Sequence, residues 1–188
     1  MVVHSSSELP IIVIMAGLPG TGKSTVACSL AQRLPCAVLD KDMIRSALFT
    51  PPHVEYSRVQ DDFCQEIMLQ TTAYLLRKNL SLYVLLDGRT FSRSYQRERV
   101  LEFCSQLETQ WAILECVCSE QTALARLEKA AKERIHPATN RTPHLYHQVQ
   151  KAWEPIEDPK LVIDTEASLP SCTDRAMQYL GQIVRPTR

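Results

Sequence analysis

Residues 17–25 combine the backbone freedom and the side chains that binding of a triphosphate requires. Six apolar residues, 11–16, run directly into the segment GLPGTGKST, which satisfies the pattern G-x-x-x-x-G-K-[ST]. Glycines let backbone amides approach an anion closely, and the amino end of the following helix points at the same anion. The lysine of this pattern reaches the β- and γ-phosphates, and its hydroxyl residue ligates Mg²⁺. We therefore expect a nucleoside triphosphate and Mg²⁺ to bind at Gly17, Leu18, Pro19, Gly20, Thr21, Gly22, Lys23, Ser24 and Thr25.

This phosphate-binding loop (P-loop) alone leaves several classes of nucleotide-binding protein open. A GTPase needs an Asn-Lys-x-Asp motif that reads the base, and the sequence contains none. A ring ATPase needs additional strands and sensor elements, for which 188 residues leave no room. A kinase and a nucleotide-dependent regulatory switch therefore remain as the two hypotheses.

A second polar cluster, within VLDKDMIRSALF, follows the second apolar run of the chain. Asp40, Asp42 and Arg45 come at the carboxyl end of a predicted strand, where open parallel sheets bind ligands. We expect this strand to lie beside the one that precedes the P-loop. An aspartate there can accept or orient the proton of an attacking hydroxyl, and Arg45 can hold an anionic or polar part of the acceptor. The alternative is that Asp40 or Asp42 caps a helix that begins at Met43. Asp40 suits this capping role better, and Asp42 can combine it with the catalytic role.

A third apolar run ends at Asp87, on a strand that we expect to lie next to the P-loop. A carboxylate in that position can hold Mg²⁺ through water. The short polar segment that follows contains Arg89, which we expect in the site because it lies two residues beyond the strand. Arg97 and Arg99 are predicted to lie on a solvated helix face.

Strands alternate with helices along the whole chain. Five apolar runs of strand length have no internal Gly or Pro: 11–16, 36–40, 82–87, 111–118 and 160–164. Near-continuous apolar strands indicate a parallel sheet that is buried on both faces, and their alternation with helical patterns predicts an α/β fold. The helical faces are predicted at Val26, Leu30 and Leu34; at Val59, Phe63, Ile67, Thr71 and Leu75; at Val100, Cys104 and Leu107; and, after a cap at Ser171, at Ala176, Leu180 and Val184.

Two irregular segments are predicted outside this alternation, at residues 50–56 and 133–145. Each is either a substrate loop or a plain surface connection. The region from Arg126 to Lys151 contains six Lys or Arg residues against two Glu, which suggests a basic lid over the phosphates; a solvated basic helix is the alternative. His144 and His147 lie three apart in it, but no third residue has zinc-ligand spacing.

The composition of the chain limits which functional classes and cellular locations remain possible. The chain has 21 Lys plus Arg and 21 Asp plus Glu, so it lacks the overall basic charge of a dedicated nucleic-acid binder. Its seven cysteines include no CxxC pair, which favours reduced thiols. The first ten residues resemble neither a secretory signal nor a transmembrane helix, so a cytoplasmic location without membrane contact is expected.

The segments GLPGTGKST and LDKDMIRSAL together resemble the family of small P-loop kinases that includes the kinase domain of phage polynucleotide kinase and chloramphenicol phosphotransferase. Adenylylsulfate kinase and gluconate kinase are more distant relatives. In the polynucleotide kinase an Arg-Asp-Asp-x-Arg segment follows the second strand, and its first aspartate is the general base. This resemblance implies Asp42 as the base and Arg45 as the acceptor-side arginine. Met43 replaces the second aspartate, so substrate handling need not be identical.

The resemblance implies a single P-loop domain over residues 1–188, with a flexible N-terminus at 1–9, a lid at about 126–150 and a five-stranded parallel sheet of order 2-3-1-4-5. It implies ATP and Mg²⁺ as cofactors, with Ser24 and Asp87 at the metal and Arg89 near the acceptor. Arg126 matches a helical arginine that closes the lid over ATP. The position of a second lid arginine is Ala130 here, which leaves Arg134 or Arg141 for that role.

The resemblance leaves the phosphate acceptor open. Our first hypothesis is a hydroxyl of a small metabolite or antibiotic, because the net charge is zero and no nucleic-acid module is visible. The enzymatic alternative is a polynucleotide 5′-hydroxyl, which the basic lid favours. A regulatory switch without an acceptor is the alternative of another class, although such a protein needs no residue like Asp42.

Overall fold

Five parallel strands form one sheet with helices on both faces. The structure is a computed structural model that describes residues 9–78, 80–133 and 140–184. The strands are β1 (Ile11–Ala16), β2 (Cys36–Asp40), β3 (Tyr83–Asp87), β4 (Gln110–Val117) and β5 (Leu161–Asp164), in the order β2-β3-β1-β4-β5. The helices are α1 (Lys23–Ala31), α2 (Lys41–Leu48), α3 (Arg58–Arg77), α4 (Ser94–Gln106), α5 (Glu120–Glu133), α6 (Pro143–Lys151) and α7 (Leu169–Val184). The predicted α/β fold and the predicted strand order of the five-stranded parallel sheet are confirmed.

The central strand β1 is apolar throughout because helices cover both of its faces. Ile11, Val13 and Met15 pack with residues of α1 and α7, whereas Ile12 and Ile14 pack with residues of α3 and α4. All six residues of β1 have no exposed surface. A strand of this kind cannot alternate apolar and polar residues, since neither face meets water.

The carboxyl ends of β1, β2 and β3 lie at one edge of the sheet. Asp40 of β2 is the register partner of Asp87 of β3, and β3 in turn pairs with β1. The expectation that β2 lies beside β1 is therefore wrong, because β3 lies between them. Asp87 does end the strand next to the P-loop strand, as predicted.

The predicted buried face of α3 is wrong. Val59 is 79% exposed and Phe63 is 51% exposed. Successive residues four apart on a helix advance by about 40° around its axis, so five of them turn by about 160° and cannot share one face. The face of α3 that is buried instead carries Gln60, Cys64, Gln65, Met68, Leu69 and Thr72.

The predicted start of the last helix is also displaced. Helix α7 begins at Leu169, and the Ser171 amide donates to the Ser168 hydroxyl at 3.4 Å. Ser168 therefore takes the capping position that was expected of Ser171. Ala176 and Leu180 are buried as predicted, and the side chain of Val184 lies outside the part of the chain that the structure describes.

All seven cysteines are free thiols. Burial raises the pKa of both Cys104 and Cys116 to about 12, so these thiols stay protonated. Within residues 9–78, 80–133 and 140–184, no set of three or more His, Cys, Asp or Glu side chains is grouped as a metal site. Nor does any helix in those ranges have the length and apolar character needed to cross a membrane.

Asp40 caps helix α2. Its Oδ1 accepts from the Asp42 amide at 2.7 Å and from the Met43 amide at 3.0 Å. Burial raises the pKa of this carboxyl, although the amide hydrogen bond from Met43 opposes that change. The capping alternative is thus confirmed for Asp40, although α2 begins at Lys41 and not at Met43 as predicted, and the side chain of Asp42 is left for another role.

Replacing Asp40 with alanine should lower the free energy of unfolding by about 1 kcal/mol, because two amides of the first turn lose their acceptor. Urea denaturation at neutral pH measures this loss. Asp40→Asn is the matched control, since its side-chain oxygen still caps the helix, and it should retain most of the stability. Equal losses in the two variants would contradict the capping role.

Candidate active site

The P-loop closes tightly because its glycines adopt backbone conformations that other residues rarely reach. Gly20 has φ +81°, and a Cβ atom there would lie 2.5 Å from the Ala123 carbonyl oxygen. A side chain would therefore push the loop away from α5. Gly22, in the left-handed region, is the N-cap of α1, so the helix begins directly behind the loop. The amino end of this helix then points toward any anion that the loop surrounds.

Lys23 is folded onto the loop. Its Nζ donates to the carbonyl oxygens of Gly17 and Leu18, both at 2.8 Å. Burial lowers the pKa of the lysine to about 8, and the nearby Arg141 guanidinium adds to this effect. A triphosphate would favour the charged form, because it would place negative charge beside this ammonium.

A cavity extends from the P-loop to the facing ends of α2 and α3, and we call it the central cavity. Its P-loop end is formed by Pro19, Lys23 and Ser24. Its α2–α3 end is formed by Lys41, Asp42, Arg45, Tyr56, Asp61 and Arg89. The remaining lining residues are Gly88, Thr90, Gln96, Asn140, Arg141, Leu145 and Val149.

Asp42 is held by two cations at the α2–α3 end. Its Oδ1 accepts from Arg45 at 2.8 Å and lies 3.2 Å from the Lys41 ammonium. Both cations also contact Oδ1 of Asp61 on α3; the distance from Lys41 is 2.9 Å. The four side chains form one network, in which Arg45 and Asp42 are 3% and 8% exposed and the Asp61 side chain is 27% exposed. Because the contacts of Asp42 use Oδ1, the carboxylate keeps a second oxygen with which it can meet a ligand.

Arg89 joins the same end of the cavity from the loop after β3. It donates to Asp62 at 2.5 Å and to the side-chain oxygen of Gln65 at 2.8 Å. Tyr56 contributes an aromatic face, and the Arg45 guanidinium lies 5.0 Å from its ring centroid. The Nε atoms of Arg45 and Arg89 are buried without a hydrogen-bond partner among the described residues.

Asp87 fits a metal site at the end of β3. It is 1% exposed, and its Oδ1 has no hydrogen-bond partner within the described parts of the chain. A buried carboxylate oxygen without a donor requires a cation or water. Mg²⁺ in phosphate-binding sites is held by one or two protein oxygens together with phosphates, so Asp87 and the Ser24 hydroxyl provide a suitable set of ligands.

The structure separates the arginines that were predicted in the lid. Arg126 of α5 donates to the Thr165 carbonyl at 2.8 Å and to the Gly20 carbonyl at 3.5 Å, in a hollow beside the P-loop. Arg141 lines the central cavity instead and lies near Lys23. Arg134 and His136 lie outside the described residues. Of the two candidates for the second lid arginine, Arg141 is thus the one that can be placed.

The prediction that Arg97 lies on a solvated face is wrong. Arg97 is 3% exposed, and it donates to the carbonyls of Phe91 at 2.8 Å and Pro155 at 3.1 Å. It therefore satisfies backbone groups of two loops, the one after β3 and the one after α6. Arg99 is partly exposed and forms a two-pronged pair with Glu66, with both N–O distances at 2.7 Å.

Six polar residues of the central cavity were not predicted from the sequence: Lys41, Tyr56, Asp61, Thr90, Gln96 and Asn140. Tyr56 belongs to the segment at 50–56, for which the sequence allows either a substrate loop or a plain surface connection. Asp61 follows the N-cap Ser57 of α3, where an acidic residue is ordinarily explained by the helix dipole. The available signal was the pair Asp61-Asp62, opposite the cations that follow β2.

The chain matches the sequence model of a protein family described as AAA domain over residues 12–155. Adenylyl-sulfate kinase of Synechococcus sp. (strain JA-2-3B'a(2-13)) is 28% identical over 185 residues, which cover 93% of this chain and 96% of that protein. Cytidylate kinase of Acinetobacter baylyi (strain ATCC 33305 / BD413 / ADP1) is 28% identical over 122 residues, or 62% of this chain and 53% of that protein.

A solved structure has the same fold at lower sequence identity. The APS kinase of Mycobacterium tuberculosis, in complex with AMPPNP and APS, superposes with a TM-score of 0.65 at 15% identity. The match covers 93% of this chain and 98% of that one.

Proposed function

Because this chain belongs to the AAA domain family and its sequence is similar to kinases, we propose that it is an ATP- and Mg²⁺-dependent kinase that phosphorylates a hydroxyl group of a small molecule. The observation that carries this proposal is that Lys23, Ser24 and Asp42 line one cavity. A phosphate donor at the P-loop end and an acceptor at the α2–α3 end would then face each other. Bringing the two reactants together in this way is the main requirement of phosphoryl transfer.

The acceptor hydroxyl would bind against Oδ2 of Asp42, since the contacts of this carboxylate with Arg45 and Lys41 use Oδ1. Its oxygen attacks the γ-phosphorus, the bond to the β,γ-bridging oxygen breaks, and ADP leaves. The hydroxyl proton passes to Asp42, while Arg45 and Lys41 keep that carboxylate in place. Bound Mg²⁺ would neutralise phosphate charge, and Ser24 and Asp87 are the residues that would hold it.

The nucleoside part of ATP would lie toward the hollow on the other side of the P-loop. Gly22, Thr25, Arg126 and Thr165 line this hollow together with Val26, Ala167, Leu169 and Cys172. Its apolar residues suit an aromatic base, and Arg126 can cover the base or the adjacent phosphates. Arg126 thus stays a predicted nucleotide-binding residue, in a position separate from the acceptor.

Transfer of labelled γ-phosphate from ATP with Mg²⁺ to two acceptor pools tests this function. One pool contains sugars, nucleosides and hydroxylated antibiotics, and the other is an oligonucleotide with a 5′-hydroxyl. We expect label in at least one small molecule and none in the oligonucleotide. Lys23→Met is the control, because it removes the ammonium that contacts the phosphates and should abolish transfer.

Two results would overturn the proposal. Label on the oligonucleotide alone would make the protein a polynucleotide kinase. ATP binding without transfer to either pool would support the regulatory switch, in which Asp42 has no acceptor to activate.

A further inference from the structure

The cations at the α2–α3 end already have counter-anions within the chain. Lys41 and Arg45 share the carboxylates of Asp42 and Asp61. The side chains of Lys41 and Arg45 are 9% and 3% exposed, so water screens these pairs weakly.

Arg89 is also paired with a carboxylate of the chain, that of Asp62. Its guanidinium is 3% exposed and contacts the Asp62 carboxylate, which lies next to Asp61 on α3. The described residues at this end therefore contribute three cations and three carboxylates that touch them. The P-loop end differs, because Lys23 contacts two main-chain carbonyls and keeps its charge available for a phosphate.

Binding of an acceptor that carries an anionic group would be unfavourable at this end of the cavity. To pair with Lys41 or Arg45 it would compete with Asp61, and a displaced Asp61 carboxylate would lose two close cationic partners. The Asp61 carboxylate, whose side chain is 27% exposed, would then be an unpaired negative charge beside the incoming anion, and like charges close together oppose each other. Uncharged hydroxyl groups have no such difficulty, because a carboxylate that is already paired can still accept hydrogen bonds with its other lone pairs.

We propose that the phosphate acceptor is an uncharged polyhydroxyl compound, and that Asp61 determines this preference by acting as a built-in counter-anion for Lys41 and Arg45. This inference rests on the proposed kinase function and specifies the substrate class of the same site. The rest of the lining agrees with it. Thr90, Gln96 and Asn140 add uncharged hydrogen-bonding groups to the cavity lining, and several such groups in fixed positions are what selects a polyol by its hydroxyls.

Sulfate binding to the protein loaded with Mg²⁺ and AMPPNP tests the charge argument without any turnover. AMPPNP fills the P-loop, so sulfate reports on the α2–α3 end. Titration calorimetry should show negligible sulfate binding to the wild-type protein. Asp61→Asn removes the counter-anion of two cations, so it should bind sulfate at least about tenfold more tightly.

Glu66→Gln is the matched control for this titration. It removes one carboxylate from the same helix, but its partner Arg99 does not line the central cavity. It should therefore bind sulfate like the wild-type protein. Tight sulfate binding by the wild type would overturn the inference, and so would equal affinity in folded Asp61→Asn. The wild-type titration still tests the inference if the Asp61→Asn variant fails to fold.

Matched acceptors test the same inference by activity. Glucitol differs from gluconate, and adenosine from 3′-AMP, by a single anionic group. Where the protein phosphorylates compounds of a pair, the neutral member should have the higher kcat/KM. Asp61→Asn should lower the ratio of kcat/KM for the neutral member to kcat/KM for the anionic member. A wild-type preference for the anionic member would overturn the inference. Failure of AMPPNP to bind would instead contradict the kinase function itself, so the two failures can be told apart.

Discussion

Replacing Asp42 with asparagine should lower kcat by about 10²- to 10⁴-fold, the range expected when a proton acceptor is lost. Asparagine has nearly the same shape and can still accept a hydrogen bond from Arg45 at the position of Oδ1. The variant loses the negative charge that would receive the hydroxyl proton. The KM for ATP should stay within about twofold, since Asp42 lies at the end of the cavity opposite the P-loop.

Steady-state kinetics with an acceptor from the small-molecule pool measure this effect, and calorimetry with AMPPNP measures nucleotide affinity. Asp174→Asn is the matched control. Asp174 forms an exposed pair with Arg33 at 2.6 Å, outside the central cavity, and its replacement should leave both quantities unchanged. A normal kcat in Asp42→Asn would remove Asp42 from its proposed role, and a weakened AMPPNP affinity would show that it acts on the nucleotide instead.

The features that sequence analysis predicted well are local ones. A P-loop depends on a strand, a few glycines and a helix start within residues 11–31, so its structure follows from adjacent residues. The strands were recognisable because both faces of the sheet are covered, which makes each run almost wholly apolar. The strand order came from the family resemblance, since apolar runs alone do not specify which strands pair.

The features that sequence analysis missed depend on contacts between distant segments. Asp61 is 16 residues from Arg45 along the chain, and its partner becomes evident only when α3 packs beside α2. Arg97 looked like part of a charged surface because its acceptors are backbone carbonyls, which no side-chain pattern reveals. The face of α3 was assigned wrongly because residues at a constant spacing of four wind around a long helix.

The contacts that were not predicted lie mainly in the part of the site that would select the acceptor. The P-loop can be recognised in any chain that carries it, because the ligand it holds is always a phosphate group. An acceptor site has no such constant motif, and here it is built by α2, α3 and two loops. Its charge balance therefore depends on which carboxylates the fold brings to Lys41, Arg45 and Arg89.

Replacing Arg141 with alanine should lower kcat by about a thousandfold, the lower end of the range for an arginine that neutralises charge during phosphoryl transfer. Arg141 lines the central cavity near Lys23, where the γ-phosphate would lie. Replacing Arg126 should act differently, because its guanidinium contacts Thr165 and the P-loop carbonyl of Gly20. We expect Arg126→Ala to raise the KM for ATP by about tenfold with a smaller change in kcat, as for loss of uniform binding.

The contrast between these two variants assigns the arginine that acts on the transferred phosphate. Steady-state kinetics with varied ATP separate kcat from KM in each variant. Arg141→Lys is a further control, since it keeps a charge at the same position and should recover part of the lost kcat if the role is electrostatic. A large loss of kcat in Arg126→Ala together with a normal Arg141→Ala would reverse the assignment and return Arg126 to the role that the family resemblance implies. Losses of kcat in both variants would mean that α5 and the segment before α6 act together on the phosphate.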